Sequence, residues 1–432
     1  GVIMLQRSPF PKVFWIANLI EVLERFSYYG IYMGFGIYMA HLGYTKAQLG
    51  IVQSIFLAFS YLVPVISGTL ADRYGFKKML IVAYLAYLPA ILLLLFTKSF
   101  SGIALTMLTI GLAAGIFKPL IASTVRAVTD GSNKTLGFGI FYAMVNVGAS
   151  FGPVVMGKLR AISWNTAFIA AAAGIFLMLL ITIFFYKEPE RELKAVPISE
   201  KMKEILVVLA DYRFSIFLVL LGVFFWLPFW AFFNIVAIYI DSALNTAVLY
   251  DFVRSFVGTP IANFLSRVDA DGTRHLLGET IAHTGYIIMI LQIPVSKIIE
   301  KWNAISAFSV GLIIAVFGLV AIGLSLTLHP AWILFGIFLF AIGEMASSPR
   351  IQEYITWLAP KEKAGLYMGT NFLSIFVGAT LSGITYTALY GYLENIGKLD
   401  WVWYILGAHV VLGVIAINFY VKKFTNFKEV EA

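Results

Sequence analysis

Apolar stretches of about 20 residues or more recur along the whole chain, separated by short connections that carry charge, proline or glycine. They fall at 12–41, 46–71, 77–96, 101–127, 135–160, 164–186, 212–243, 277–299, 303–326, 330–357, 361–392 and 401–421. Each is long enough to cross about 30 Å of hydrocarbon as an α-helix, so the pattern predicts an all-α integral membrane protein of about 12 helices. Several exceed 25 residues, which predicts tilted helices or ends that protrude from the bilayer.

The connections add organisation. The most polar of them begins at Lys187 and runs to about Asp211, near the midpoint, and divides the chain into an N-terminal six-helix bundle (1–187), a cytoplasmic linker (188–211) and a C-terminal six-helix bundle (212–432). Within the linker, 199–210 reads as an amphipathic helix lying in the membrane interface. The stretch 244–276, with Asp251, Arg254, Arg267, Asp269, Asp271, Arg274 and His275, is too polar to span and reads as a solvated hairpin or short surface helix on the outer side. With alternate loops assigned to opposite sides, most lysines and arginines fall with the two termini, which predicts that both termini are cytoplasmic in a multi-pass protein of the cell membrane.

Composition narrows the chemistry. Hydrophobic residues make up 60% of the 432 and charged residues only 12%, against roughly 25% charged in a soluble domain. The absence of cysteine excludes disulfides, thiolate metal sites and cysteine nucleophiles, and the five histidines show no paired spacing, so no metal is expected. The net charge of +8 is read as a topology signal rather than a nucleic-acid footprint. No nucleophile–base constellation argues for an enzyme, and the opening residues hold no long apolar run, so no cleaved signal peptide is expected.

Charges at membrane depth are costly and therefore mark function. In the first span, Glu21, Glu24 and Arg25 are spaced i, i+3 and i+4 and share one face, with Tyr28 and Tyr29 one turn further on. One reading is an ion pair that only locks helices. The other is proton exchange, because two carboxylates beside one fixed cation leave an unbalanced acid. Lys118 lies mid-span before Pro119 with no acid one turn away, so its partner must come from another helix or from a substrate. In the tenth span Glu344 and Ser348 share a face ahead of Pro349, while Arg350 and Glu353 approach the cytoplasmic end as a gate or structural pair. Asn146 adds polarity within the fifth span, and Trp230 and Asn234, one turn apart in the aromatic seventh span, are placed to line a cavity.

Two motifs extend this reading. Gly68-Thr-Leu-Ala-Asp72-Arg73-Tyr-Gly75-Phe-Lys77-Lys78 resembles the loop between the second and third helices of the major facilitator superfamily, which implies two six-helix bundles and a conformational role for Gly68, Asp72 and Arg73. Glu21-x-x-Glu24-Arg25-Phe26-x-Tyr28-Tyr29-Gly30 resembles the ExxERFxYYG motif of proton-dependent oligopeptide transporters at every defined position. Phe117-Lys118-Pro119, Asn146-Val-Gly148 and Gly343-Glu344 with Ser348-Pro349 and Ala359-Pro360 are similar to further segments of that family. The resemblance implies that Glu21, Glu24 and Arg25 handle the coupling proton, that Lys118 approaches a peptide carboxylate, that Glu344 holds the peptide amino group, and that Tyr28, Tyr29, Tyr61, Asn146, Trp230 and Ser348 make neutral contacts. Asn234 stands near where the family commonly has a seventh-helix acid that pairs with a first-helix arginine.

The expectation is a symporter, acting as a monomer in the bilayer, that imports di- or tripeptides by alternating access with protons as coupling ion and no other cofactor. The alternative is a divergent carrier in the same fold for another small organic ion or drug, motivated by the missing acid.

Overall fold

The computed structural model describes residues 8–193, 196–359 and 364–424. The start of the expected eleventh span at 361, Pro360 of the Ala-Pro pair and two linker residues lie outside the described residues.

Among the described residues, ten helices are long and apolar enough to cross a membrane: Phe76–Leu93, Phe100–Ala127, Lys134–Arg160, Trp164–Phe185, Tyr212–Ala243, Gly278–Ile299, Ala304–Thr327, Trp332–Ile355, Gly369–Asn395 and Trp401–Phe424. The pair Lys46–Leu62 and Pro64–Tyr74, bent by 41°, makes an eleventh. The helix Lys12–His41, 30 residues long, precedes them and differs in carrying Glu21, Glu24 and Arg25. In chain order these are the spans numbered first to twelfth below, and they match the apolar pattern to within a few residues at most ends.

Local sequence explains the element ends. The second span starts at Thr45, whose side chain accepts from the Gln48 amide while the Gln48 side chain accepts from the Thr45 amide, a reciprocal cap. It breaks at Pro64, which lacks the N–H needed to continue the ladder. Pro119 leaves the fourth helix continuous from Phe100 to Ala127. Two wider turns interrupt the seventh and eleventh spans at Gly222–Trp226 and Gly383–Thr387, where the backbone bonds run i to i+5. The helix expected within the linker occupies Ile198–Leu209. The stretch after the seventh span contains both forms expected of it, helices Thr246–Val257 and Thr259–Phe264 followed by an antiparallel pair of strands, Ser266–Val268 and Arg274–Leu276, with Arg267 opposite His275. It is not fully solvated, because Leu249, Val253 and Leu276 are buried.

Among the described residues, the first six spans meet the last six most extensively at three seams: first against seventh, second against eleventh, fifth against eighth. Close approach is built into the fifth span. A Cβ added at Gly148 would lie 2.7 Å from the Arg25 Cβ and 3.1 Å from the Phe26 amide. The absence of a side chain there seats the charged face of the first span directly on the fifth.

Candidate functional site

The first-span charges form one buried cluster. Arg25 Nε donates to Glu24 Oε2 at 2.5 Å and lies 3.6 Å from Glu21 Oε1, and Tyr87 donates to Glu24 Oε1 at 3.0 Å. Glu24 is thereby held from two spans. Glu21 Oε2 makes no hydrogen bond among the described residues, which leaves one carboxyl oxygen of the cluster free. The guanidinium carbon stands 4.7 Å from the centre of the Tyr28 ring and 5.5 Å from that of Tyr29.

Lys118 joins this cluster from the fourth span. Its Nζ lies over the rings of Tyr28 and Tyr61, at 4.5 and 4.7 Å, and makes no hydrogen bond among the described residues. The ring faces supply the electrostatic partner that no acid one turn away provides.

A cavity of about 190 Å³ opens at the seam between the two sets of spans, lined by Tyr29 and Met33 of the first, Tyr142, Val145, Asn146 and Ala149 of the fifth, Phe229, Trp230 and Phe233 of the seventh, and His283, Thr284, Gly285, Ile288 and Glu344 of the eighth and tenth. Glu344 is the one carboxylate in this lining. It accepts a hydrogen bond from the Thr284 hydroxyl at 2.8 Å. Asn146 donates to the Tyr142 carbonyl at 2.9 Å, one turn back on its own helix.

Of the residues singled out in the sequence, Tyr29, Asn146, Trp230 and Glu344 therefore meet in this cavity, while Arg25, Tyr28, Tyr61, Lys118, Asn234 and Ser348 are not part of its lining. Lys118 is one aromatic layer away. The two rings beneath it each back onto a cavity ring, Tyr28 at 5.1 Å from Tyr29 and Tyr61 at 5.3 Å from Trp230.

Asn234 belongs instead to a neutral network across the seam. Tyr32 donates to its Oδ1 at 2.5 Å, its Nδ2 donates to Ser382 Oγ at 2.8 Å, and Gln53 donates to its backbone carbonyl at 2.9 Å while accepting from Thr387 at 2.6 Å. First, second, seventh and eleventh spans are tied there without a charge. Arg25, which would meet an acid on the seventh span, is paired instead with Glu21 and Glu24 of its own helix.

At the linker end, Asp72 pairs with Arg191 at 2.9 Å, and Glu188 accepts from the Phe76 and Lys77 amides at 2.8 and 2.7 Å, capping the third span. Arg73 is exposed and stacks on Tyr74, with the centroid 5.4 Å away, and a Cβ at Gly68 would meet nothing within 4 Å. Arg350 donates to Glu353 at 2.7 Å and to the Trp302 carbonyl at 2.5 Å, joining the tenth span to the start of the ninth.

Sequence reasoning missed Thr284, which fixes Glu344, and a charged group at the far end, Arg160 with Asp241 and Glu279. Both involve partners far apart in the chain, and polar residues at span ends are too common to stand out.

A family description of the Major Facilitator Superfamily matches residues 17–383, and the chain belongs to that superfamily. It is a multi-pass membrane transporter. Its relatives include a Na(+), Li(+), K(+)/H(+) antiporter of Planococcus maritimus, 24% identical over 91% of this chain and 92% of that protein. The quinolone resistance protein NorA of Staphylococcus aureus is 24% identical over 38% of this chain and 45% of its own length. Among solved structures, a POT family transporter in complex with 5-aminolevulinic acid superposes with a TM-score of 0.74 at 20% identity, covering 96% of this chain and 97% of that one. The peptide transporter POT in complex with sulfate gives 0.71 at 22% identity and 96% of both chains. At these identities the likeness establishes the fold.

Proposed function

We propose that the chain is a proton-coupled symporter that moves di- or tripeptides by alternating access between two six-span halves, with both termini cytoplasmic. The observation that carries this reading is Glu344, the one carboxylate in the lining of a cavity at the seam, facing Tyr29 and Asn146 from the other half. A substrate ammonium placed there gains a charge-assisted hydrogen bond and touches both halves at once. The aromatic wall of Phe229, Trp230 and Phe233 accepts an apolar side chain beside it. Glu21 and Glu24, on the same helix as Tyr29, are the proposed proton carriers, and Arg25 couples them to the cavity through the rings it stacks on. Peptide and 5-aminolevulinic acid complexes of similarly folded transporters support this choice of substrate.

A second reading, a carrier for another small organic amine or drug, is favoured by one observation. Lys118, proposed to take the peptide carboxylate, is separated from the cavity by Tyr28 and Tyr61. Addition of dialanine to proteoliposomes holding a pH-sensitive dye tests the first reading: a symporter acidifies the lumen, whereas a carrier for carboxylate-free amines responds to those amines and not to dialanine.

A further inference from the structure

At the end of the bundle opposite the linker, Arg160 closes the fifth span. Its guanidinium reaches three oxygens on the other set of spans. Nε donates to Glu279 Oε1 at 2.5 Å, and Nη2 donates to Glu279 Oε2 at 2.8 Å and to Asp241 Oδ1 at 2.7 Å. The Glu279 side chain is 1% exposed and that of Arg160 9%, so this is a buried inter-half pair rather than a surface contact. Asp241 also accepts from the Gly278 amide at 3.2 Å, which holds the start of the eighth span to the seventh. Trp164 covers the guanidinium from the sixth span, 5.4 Å from its ring centre. A Cβ at Gly157 would press within 3.1 Å of the Glu279 carboxyl group, so the fifth span is shaped to receive it. Two residues back, Lys158 donates to the carbonyls of Ser266 at 2.5 Å and Asn263 at 3.4 Å, tying the same helix end to the strand pair.

We propose that Arg160, Asp241 and Glu279 form the latch that holds the two halves together at this end, and that it must open in each transport cycle. All three Arg160 bonds cross the seam, and the guanidinium fork is matched bidentately by one carboxylate. No separation of the fifth span from the seventh and eighth can occur with these bonds intact. A hydrophobic seam slides at little cost, but breaking a buried pair leaves a charge unpaired, which gives closure here two discrete states. The cluster lies apart from the cavity lining and from Glu21, Glu24 and Lys118, so it acts on the halves and not on the substrate.

The chain has no cysteine, so spin labels go only where they are placed. Positions 96 and 256, 80% and 86% exposed in loops or helices of this end, take one label in each half through Phe96→Cys and Phe256→Cys. Pulsed electron paramagnetic resonance then reads the distance between them in nanodiscs. The labelled parent is expected to show mainly the short distance, and Asp241→Asn with Glu279→Gln a longer population. Arg160→Glu is expected to give the same longer population, and Glu279→Arg added to it to restore the short one. Glu344→Gln, which alters the proposed substrate contact only, is expected to leave the distribution unchanged, so a failure of the substrate reading is seen separately. If the acid-neutralised variant keeps its melting temperature and the parent's distance distribution, the latch is overturned; so too if the exchanged charges fail to restore closure in a folded protein.

Discussion

Thr284 donates to Glu344 Oε2 at 2.8 Å, from the eighth span to the tenth, and this is the one side-chain hydrogen bond that Glu344 makes among the described residues. The remaining carboxylate oxygen is left to the cavity. A buried carboxylate with one fixed oxygen and one open one is oriented without being satisfied, which suits it to a cationic group arriving from outside.

Glu344→Gln is expected to weaken binding of an amine-bearing substrate by about tenfold or more, the scale of a hydrogen bond to a charged group at about 1.5–3 kcal/mol. Thr284→Val keeps the shape and removes the orienting bond, so its effect is smaller and in the same direction. Isothermal titration of purified variants with dialanine checks both, and equal losses in the two would contradict the orienting role.

Gly148→Ala tests the close seat between the fifth and first spans. The added methyl group meets Arg25 Cβ at 2.7 Å, and overpacking of this kind costs about 1–3 kcal/mol. A lower melting temperature with reduced uptake is expected; an unchanged melting temperature would mean that the first span yields freely.

Lys118→Ala separates the two substrate readings. If the ammonium takes a peptide carboxylate by passing between Tyr28 and Tyr61, the variant loses dialanine uptake. Uptake of alanine-derived amines without a carboxylate persists in the same vesicles. Equal loss for both substrate types would assign Lys118 to the proton cluster instead. Tyr61→Leu removes one of the two ring faces beneath Lys118 and, with it, a cation–π contact of about 0.5–2 kcal/mol, read as a fall in thermal stability that Tyr61→Phe does not reproduce.

Most of the fold was legible in the apolar pattern because each span must bury its backbone polar groups in helix, whatever its neighbours. The linker helix expected at 199–210 is found at Ile198–Leu209 because its alternation of Lys201 and Lys203 with apolar residues is a local signal. The bend at Pro64 was readable in principle from the proline, whereas the wide turns sit at contacts between distant spans, Gly222–Trp226 on the eleventh and Gly383–Thr387 on the second. The site was legible where one helix holds it. Glu21, Glu24 and Arg25 cluster by spacing alone. Where the partner lies far along the chain, spacing was silent: Arg160 is 119 residues from Glu279, and only folding reveals them as a pair. Lys118 was expected to find its partner on another helix or in a substrate, and nothing in its own helix shows that Tyr28 and Tyr61 cover it. Asn234 was read as a cavity residue from its turn-spacing to Trp230, but its amide is consumed by Tyr32 and Ser382.

Glu24→Gln leaves Arg25 with Glu21 alone, at 3.6 Å, and removes a carboxylate that two spans hold. Loss of one member of a buried pair costs about 3–5 kcal/mol, against about 1.5–3 kcal/mol for the hydrogen bond to the carboxylate removed by Tyr87→Phe. Thermal melts of the two variants are expected to fall in that order, and the reverse order would remove Glu24 from the centre of the cluster.

The central claim is that proton movement through the first-span acids drives substrate through the cavity at Glu344. Uptake of labelled dialanine into proteoliposomes, with and without an inward proton gradient, measures it directly in the wild type, Glu24→Gln and Glu344→Gln. The account predicts uptake that the gradient drives above equilibrium in the wild type, uptake that ignores the gradient in Glu24→Gln, and none in Glu344→Gln. Wild-type uptake that reaches the same level with and without the gradient would contradict it.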